Sequence, residues 1–220
     1  MDSNLAVNGK GLNTEPNRES LIVAFPKLRD DRNFAIESPA TPIYNCIAFA
    51  MGTQDVWVDA SSTAWAWWPE NVSRGDTPAA LTQAFEALSF ECCSDDAPEK
   101  NFDKVALYSK DGKWTHAAKI LGSGVVYHSK FGQSFDATHS GDSFAGSVYG
   151  DVFQFMKRPV ELRSKTTDAV QSAKGAIEVA LPIMGRTVRL VRHKGRFYMP
   201  DGSPINSVRK QGEIEMTPKA

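Results

Sequence analysis

SPATPIYNCIAFAMG, residues 38–52, contains the clearest element boundary in this 220-residue sequence. Its two prolines disfavour helix in the first half, because the residue before a proline is pushed out of the α region. From Asn45 onward the residues are mostly apolar and good helix formers, and Gly52 is placed to end the helix. Asn45 is itself a preferred N-cap residue. The pattern therefore predicts a short buried helix with Cys46 in its first turn.

Downstream of this helix the sequence predicts another helix and then an antiparallel sheet. TPAALTQAFEALSF (77–90) has apolar residues at helical spacing behind a Thr-Pro start. An Asp-Gly pair, which is a strong hairpin signal, joins the strand-like runs KVALYSK (104–110) and KWTHAAKIL (113–121). VVYHSKFG (125–132) and DVFQFMKRP (151–159) are predicted as later strands. This order of elements predicts an α+β fold.

Three regions are predicted along the chain. Residues 1–20 are polar and have no periodicity, so they are expected to be disordered. Residues 21–159 are expected to form the main domain. Residues 160–220 are predicted to be a basic linker and a small β appendage, with strand-like runs at 177–183 and 187–199.

The charge is unevenly distributed between these regions. Residues 1–156 contain 12 Lys/Arg and 20 Asp/Glu, whereas residues 157–220 contain 13 Lys/Arg and 6 Asp/Glu. A basic region of this kind can bind nucleic acid, an anionic membrane or an acidic partner, or it can dock on the acidic part of its own chain. The sequence does not favour nucleic acid as a partner, because no basic motif interleaved with aromatic residues stands out beyond RFYM (196–199).

The cysteines and the N-terminus indicate a cellular compartment. Cys46, Cys92 and Cys93 are an odd number of thiols with two adjacent, which fits neither a disulfide framework nor a zinc site. The N-terminus lacks the basic and apolar regions of a secretory signal, and no apolar run approaches the ~20 residues of a membrane span. The sequence therefore predicts reduced thiols in the cytoplasm, with signal-independent export left open.

Cys46 is in a position where a thiol could act as a nucleophile. A cysteine attacks a carbonyl as thiolate, and its pKa is lowered by a helix N-terminus or by a neighbouring imidazolium. The helix start supplies unpaired backbone N–H groups that can also hold an oxyanion, with the Asn45 side chain as a further donor. His116 lies on a predicted strand and is the candidate base. The alternative is that Cys46 is an ordinary buried core residue.

The sequence around His116 resembles a known family of enzymes. THAAKILGSGVVYHSK (115–130) has the pattern of a strand, a glycine turn and a second strand. This resembles the NlpC/P60 branch of the papain-like enzymes, in which a catalytic histidine opens a strand and a polar residue on the next strand orients it. This resemblance implies that His116 is the base and that His128 orients it. A second family, described next, carries a Ser-Lys pair that Ser129 and Lys130 match, which makes Ser129 the alternative to His128.

The chain is also similar to a bacterial family of unknown function over roughly residues 21–159. Members of that family carry motifs like YNCIAFA (44–50), WWP (67–69) and THAA (115–118). The likeness implies a papain-like core, with the nucleophile helix packed on an antiparallel sheet, and a thiol mechanism. It implies no substrate. NlpC/P60 enzymes usually carry Asp-Cys where this chain has Asn45-Cys46, so their peptidoglycan substrate does not carry over.

The other tryptophans, histidines and cysteines of chemical interest are interpreted as follows. Trp65, Trp67 and Trp68 are either core residues or walls of a substrate cleft beside Cys46. His139 and His193 are expected to be surface histidines. Cys92 and Cys93 are expected to be structural.

The sequence as a whole predicts a cysteine-dependent hydrolase or acyl-transfer enzyme that acts on an amide bond. Peptidase, amidase and deamidase chemistry all use such a site, and the substrate would be a protein or cell-wall peptide or another amide. No metal or organic cofactor is implied. The alternative function is a catalytically inactive papain-like protein that binds or inhibits a partner through its basic C-terminal surface.

Overall fold

The computed structural model describes residues 11–61, 66–122, 125–172, 177–183, 186–193, 196–198, 205–210 and 213–218, with side chains up to Val170. Its helices are α1 (Glu15–Ile22), α2 (Cys46–Met51), α3 (Pro78–Glu86) and α4 (Ser164–Ser172), and short 3-10 helices lie at Pro26–Arg29 and Val160–Leu162. Among the described residues, no helix has the length and apolarity needed to span a membrane.

A seven-stranded antiparallel sheet is the centre of the fold, with the strand order β1-β6-β5-β4-β3-β7-β2. The outermost strands are the shortest, with four residues in β1 and three in β2. The predicted α+β class is therefore confirmed. The strands of this sheet are β1 (Ala35–Ser38), β2 (Glu91–Cys93), β3 (Phe102–Lys110), β4 (Lys113–Ile120), β5 (Val126–Lys130), β6 (Asp136–Ser140) and β7 (Asp151–Pro159).

Further strands occur where the sequence predicts the β appendage. One small antiparallel sheet has the order β10-β9-β8, and a second consists of β11 and β12. Their bounds are β8 (Ile177–Ile183), β9 (Arg186–His193), β10 (Arg196–Tyr198), β11 (Ile205–Lys210) and β12 (Glu213–Pro218).

The predicted helix at Cys46 is confirmed together with both of its ends. The side chain of Asn45 accepts a hydrogen bond from the backbone N–H of Ala48, as an N-cap residue does. Gly52 ends the helix with φ of 92°, a left-handed conformation that favours glycine. All six residues of α2 are buried, so the helix is held by packing despite its short length.

The predicted hairpin is also confirmed. β3 and β4 pair antiparallel, and Asp111 and Gly112 connect them with positive φ at both positions. This is the primed turn whose twist matches that of paired strands. The hairpin places His116 opposite Tyr108, in the middle of the sheet.

The sheet is covered by apolar residues on both faces. The first core contains α2 and α3 and includes Cys46 and Ala117, and the second core contains α1 and the aromatic residues around Phe144. Because successive side chains of a strand point to opposite faces, neighbouring residues of β4 enter different cores. Ala117 is in the first core and Ala118 is in the second.

A gap opens in the sheet between β4 and β5. Within the described residues these strands pair only at Lys119 with His128 and at Ile120 with Tyr127. The backbone pairing does not continue to Ala117 on β4, so the two strands are joined there by side chains instead. This gap is the structural feature that positions the candidate site.

The N-terminal region differs from the prediction. Residues 15–20 were expected to be disordered with the rest of 1–20, but they belong to α1. Thr14 caps the helix through a hydrogen bond from Asn17, and Leu21 and Ile22 anchor its last turn in the second core. The apolar anchor lies at the end of the segment, and the only helical signal before it is the start formed by Thr14, Glu15 and Pro16.

Candidate active site

The thiol of Cys46 lies at the first position of α2 and is buried. The backbone N–H groups of Ala117, Ile47 and Cys46 itself lower the pKa of this thiol. Burial nevertheless raises the pKa of Cys46 to about 11, and these N–H groups and the charge of Lys130 only partly oppose it. The resting thiol is therefore protonated at neutral pH.

The side chain of Asn45 is used by the protein itself. Its Nδ2 donates to the carbonyl of Val58 at 2.7 Å, and its Oδ1 accepts from the N–H groups of Ala48 and Val58. Asn45 thus fixes both the start of α2 and the neighbouring loop. The expected role as an oxyanion donor would have to use the Nδ2 proton that does not bind Val58.

His116 lies on β4 in the second core and has no exposed surface. Its ring is stacked on Tyr149, with centroids 4.0 Å apart, and it meets Phe144 edge to face. Its Nε2 lies 2.9 Å from Oγ of Ser129. No hydrogen-bond partner for Nδ1 is present among the described residues. Burial lowers the pKa of His116 well below its usual value, and His139 adds to this effect.

A second buried histidine continues this chain of hydrogen bonds. Oγ of Ser129 lies 2.8 Å from Nε2 of His139, whose Nδ1 lies 2.8 Å from the carbonyl oxygen of Ser140. His139 has no exposed surface, so the expectation of a surface histidine is wrong. Burial lowers the pKa of His139 to about 4, although the hydrogen bond to the Ser140 carbonyl partly opposes this shift. The ring is therefore neutral at physiological pH.

These contacts fix every proton in the chain. A carbonyl oxygen only accepts, so Nδ1 of His139 carries the proton and its Nε2 is an acceptor. Ser129 therefore donates its hydroxyl proton to His139 and accepts the Nε2 proton of His116. It follows that Nδ1 of the neutral His116 holds a bare lone pair. No donor group contacts this nitrogen among the described residues, so its lone pair is available to accept a proton.

Ser129 is therefore the residue that contacts His116, and His128 is not. Nε2 of His128 lies 2.8 Å from Oδ1 of Asp136, and its ring meets Phe49 of α2 edge to face. His128 pairs with Lys119 and faces the first core, whereas its neighbour Ser129 faces the second. The sequence pattern places His128 first as the residue next to His116. The residue that contacts His116 is Ser129, one position later.

Cys46 and His116 approach the gap between β4 and β5 from opposite sides. The thiol faces the N–H group of Ala117 from the first core, and the preceding residue, His116, projects into the second core. Ser129 lies across the gap and bridges to His116. No hydrogen bond joins Cys46 to His116 in the part of the chain that the structure describes.

Trp67 is linked to Asn45 through Val58, and Trp68 packs in the first core. Trp67 forms a parallel bridge with Val58, the residue that Asn45 holds, and Trp68 is buried and stacked on Trp114. The Nε1 groups of Trp67 and Trp68 find no acceptor among the described residues. Trp65 lies outside the described residues. Of the three residues expected at a substrate cleft, Trp68 thus lies in the first core and Trp67 packs against it.

The other cysteines are on the far edge of the sheet. Cys92 and Cys93 belong to β2, where Cys92 is exposed and Cys93 is partly buried. The side chain of His193, the other expected surface histidine, lies outside the described part of the chain. The described residues contain no group of His, Cys, Asp and Glu side chains arranged to hold a metal ion.

Comparison with known protein families places most of the central sheet in a family. Residues 35–157 match the family described as Domain of unknown function (DUF7689), and this range is more than half of the chain. It begins with β1 and ends within β7, so it includes α2, the gap and the chain of histidines. No curated protein and no solved structure matches the chain.

Proposed function

We propose that this chain, which belongs to the DUF7689 family, is a cysteine-dependent hydrolase or acyl-transfer enzyme that acts on an amide bond. Cys46 is the nucleophile and His116 is the base. The observation that carries the proposal is the bare Nδ1 of His116, which Ser129 and His139 orient from behind. A buried histidine held in one tautomer with an unpaired lone pair is suited to general-base catalysis.

In the proposed reaction the thiol is neutral until substrate is present. The substrate carbonyl enters at the gap, the Cys46 proton moves to Nδ1 of His116, and the sulfur forms a bond to the carbonyl carbon. The backbone N–H groups around Cys46 stabilise the oxyanion. The C–N bond then breaks, and His116 returns the proton to the leaving amine.

The second half-reaction restores the enzyme. Water, or an acceptor amine in acyl transfer, attacks the thioester carbon and gives a proton to Nδ1 of His116. The C–S bond breaks, Cys46 recovers its proton, and the product is an acid or a new amide. Ser129 and His139 hold the ring throughout, because Nε2 of His116 keeps its proton in both steps.

We also infer a papain-like arrangement of the NlpC/P60 kind for the core. Its support is the combination of a cysteine at the start of a helix, a histidine on a strand of an antiparallel sheet, and an orienting polar residue on the adjacent strand. His116 also has its Nε2 bound and its Nδ1 without a partner among the described residues, which fits the proposed thiol mechanism.

The test is acyl transfer to Cys46 from p-nitrophenyl acetate, followed by peptide mass spectrometry. Cys92 is exposed and serves as an unactivated control in the same molecule. We expect Cys46 to be acetylated about tenfold faster than Cys92 or more. A His116→Gln substitution is expected to slow Cys46 about a hundredfold or more and to leave Cys92 unchanged.

Acetylation of Cys92 while Cys46 stays unmodified, in a protein whose circular dichroism is native, would contradict the proposal. That outcome would favour the second candidate, a papain-like binding protein without catalysis. Two observations favour this alternative: burial raises the pKa of Cys46 to about 11, and no hydrogen bond joins Cys46 to His116 within the described residues.

A further inference from the structure

A cavity of about 540 Å³ lies at the end of α2 that is remote from Cys46. It is bordered by Ala50 and Gly52 of the helix end, by the start of β3, by the end of β4 and by Arg158 of β7. This volume is within the range of pockets that hold small molecules, about 300–1,000 Å³. Neither Cys46 nor His116 borders the cavity, so the inference below is independent of the proposed function.

Lys119 is the cation of this cavity whose charge has the fewest polar or acidic partners among the described residues. Its ammonium group lies 3.9 Å from the centre of the Phe49 ring. Among the described residues, no carboxylate or carbonyl oxygen accepts a hydrogen bond from it. Burial lowers the pKa of Lys119, although Asp103 and Asp136 partly oppose this shift. An ammonium group with no hydrogen-bond acceptor is a ready partner for an anion.

Two arginines add positive charge on the same side. Arg163 binds Asp103 through two hydrogen bonds of 2.7 and 2.5 Å. Arg158 is buried, donates to Thr166 and stacks on the ring of Phe90. Its Nε has no hydrogen-bond acceptor among the described residues.

The charges of the cavity do not balance. Lys104 also borders it, but its ammonium group is bound to Asp95 and to the carbonyl of Ala97. The remaining charged lining residues are three cations and one carboxylate, an excess of two positive charges: Lys119, Arg158 and Arg163 against Asp103. Such an excess in a partly enclosed space attracts anions.

The rest of the lining is apolar. Ala50, Val105 and Leu121 border the same space. An inorganic ion would leave these walls without contacts, whereas an organic molecule would bury them. We propose that this cavity binds a small organic anion, whose apolar body lies on these walls and whose carboxylate or phosphate group lies on Lys119 and Arg163.

The experiment is isothermal titration of the full chain in a phosphate-free buffer of low salt. Benzoate and phenyl phosphate are the probes that carry both an apolar body and an anionic group, and phenol and inorganic phosphate carry one part each. Lys119→Met keeps the apolar stem on Phe49 and removes the charge. Lys113→Met is the matched control, because Lys113 is on the same strand, exposed and paired with Asp76.

We expect saturable binding of benzoate or phenyl phosphate, with phenol and inorganic phosphate each weaker. Preference for one probe identifies the anionic group as carboxylate or phosphate. The dissociation constant should rise about tenfold or more in Lys119→Met and stay unchanged in Lys113→Met. Absence of saturable binding by both probes, or equal affinity in wild type and Lys119→Met, would overturn the inference. Equal loss in both variants would also overturn it, because it would indicate unspecific attraction.

Discussion

Ser129 is the residue on which the protonation of both neighbouring histidines depends. Its hydroxyl accepts from Nε2 of His116 and donates to Nε2 of His139. A hydroxyl group can do both at once, whereas a carboxylate could only accept and a lysine could only donate. The side chain is also fully buried, so water does not replace it.

Ser129→Ala should therefore reduce both stability and reactivity. The substitution leaves two buried ring nitrogens without partners, so the free energy of unfolding should fall by about 1–3 kcal/mol. Because His116 loses its fixed tautomer, acetylation of Cys46 by p-nitrophenyl acetate should slow about tenfold or more. Urea unfolding and peptide mass spectrometry measure the two effects.

The control for this prediction is Ser134→Ala, in the turn between β5 and β6. It should change neither quantity. If Ser129→Ala kept the full acetylation rate of Cys46, Ser129 would not orient the base.

The residues of this site differ in how well the sequence predicts them. Asn45 and Cys46 follow from local signals, since caps and helix formers are adjacent in sequence. The choice between His128 and Ser129 depends on which face of β5 each side chain occupies, and a shift of one residue reverses the face. His139 was missed because β6 is only five residues long and carries no clear alternation.

At the scale of elements, the loop that contains Trp67 and Trp68 connects the helix start to β4. Trp68 stacks on Trp114, with centroids 6.3 Å apart, and the two rings differ in their hydrogen bonding. Nε1 of Trp114 donates to the carbonyl of Gly75 at 2.9 Å, whereas Nε1 of Trp68 has no acceptor among the described residues. A buried donor without a partner costs about 1–3 kcal/mol.

The two tryptophans should therefore respond differently to replacement by phenylalanine. Trp114→Phe removes a satisfied hydrogen bond and leaves the Gly75 carbonyl unpaired. Trp68→Phe also loses packing contacts, but it removes a buried N–H group that has no acceptor among the described residues, so the loss in free energy of unfolding is partly offset. We expect Trp68→Phe to lower the free energy of unfolding by about 1 kcal/mol less than Trp114→Phe, although Trp68 is the more buried residue.

Thermal and urea unfolding of the two variants, each compared with wild type, measure this difference. A larger loss of stability in Trp68→Phe would mean that the contacts of its indole ring outweigh the unpaired N–H group.

Elements with local signals were predicted well, and elements that depend on distant contacts were not. The β3–β4 hairpin follows from Asp111-Gly112, and α3 follows from its spacing and its Thr77 cap. β1 pairs with β6, which lies about a hundred residues later in the chain. No local pattern encodes such a pairing, because it is decided by packing of the assembled sheet.

At the scale of the whole molecule, the buried histidines make stability depend on pH. Unfolded histidine has a pKa of about 6.5, and burial lowers the pKa of His139 to about 4. Between these values the unfolded chain binds a proton that the folded chain does not bind. The free energy of unfolding should therefore be highest above pH 6.5 and fall as the pH is lowered towards 4.

The expected loss from His139 is about 3 kcal/mol, and His116 acts in the same direction. Urea unfolding at a series of pH values from about 7 to about 4 measures it, and His139→Gln should have a smaller pH dependence. Constant stability of the wild type over this range would contradict the prediction.

The class of the fold was predictable from the order of its elements, but its two-sided core was not. The long strands β3 and β7 carry apolar residues at consecutive positions, and both faces of the sheet are covered. Leu12, Leu21 and Ile22 cover part of the second face, and the polar residues between them conceal this role. The gap between β4 and β5 depends on strand register, which a single sequence does not specify.

The strand order of the central sheet also has a consequence for how the molecules behave in concentrated solution. The strands of nine residues, β3 and β7, lie inside the sheet, and only β1 and β2, with four and three residues, offer unpaired backbone at its margins. Short margins with a register irregularity, as in β1, are poor templates for strand-by-strand growth between molecules. The order of the strands thus makes the margins of the central sheet poor sites for fibril growth.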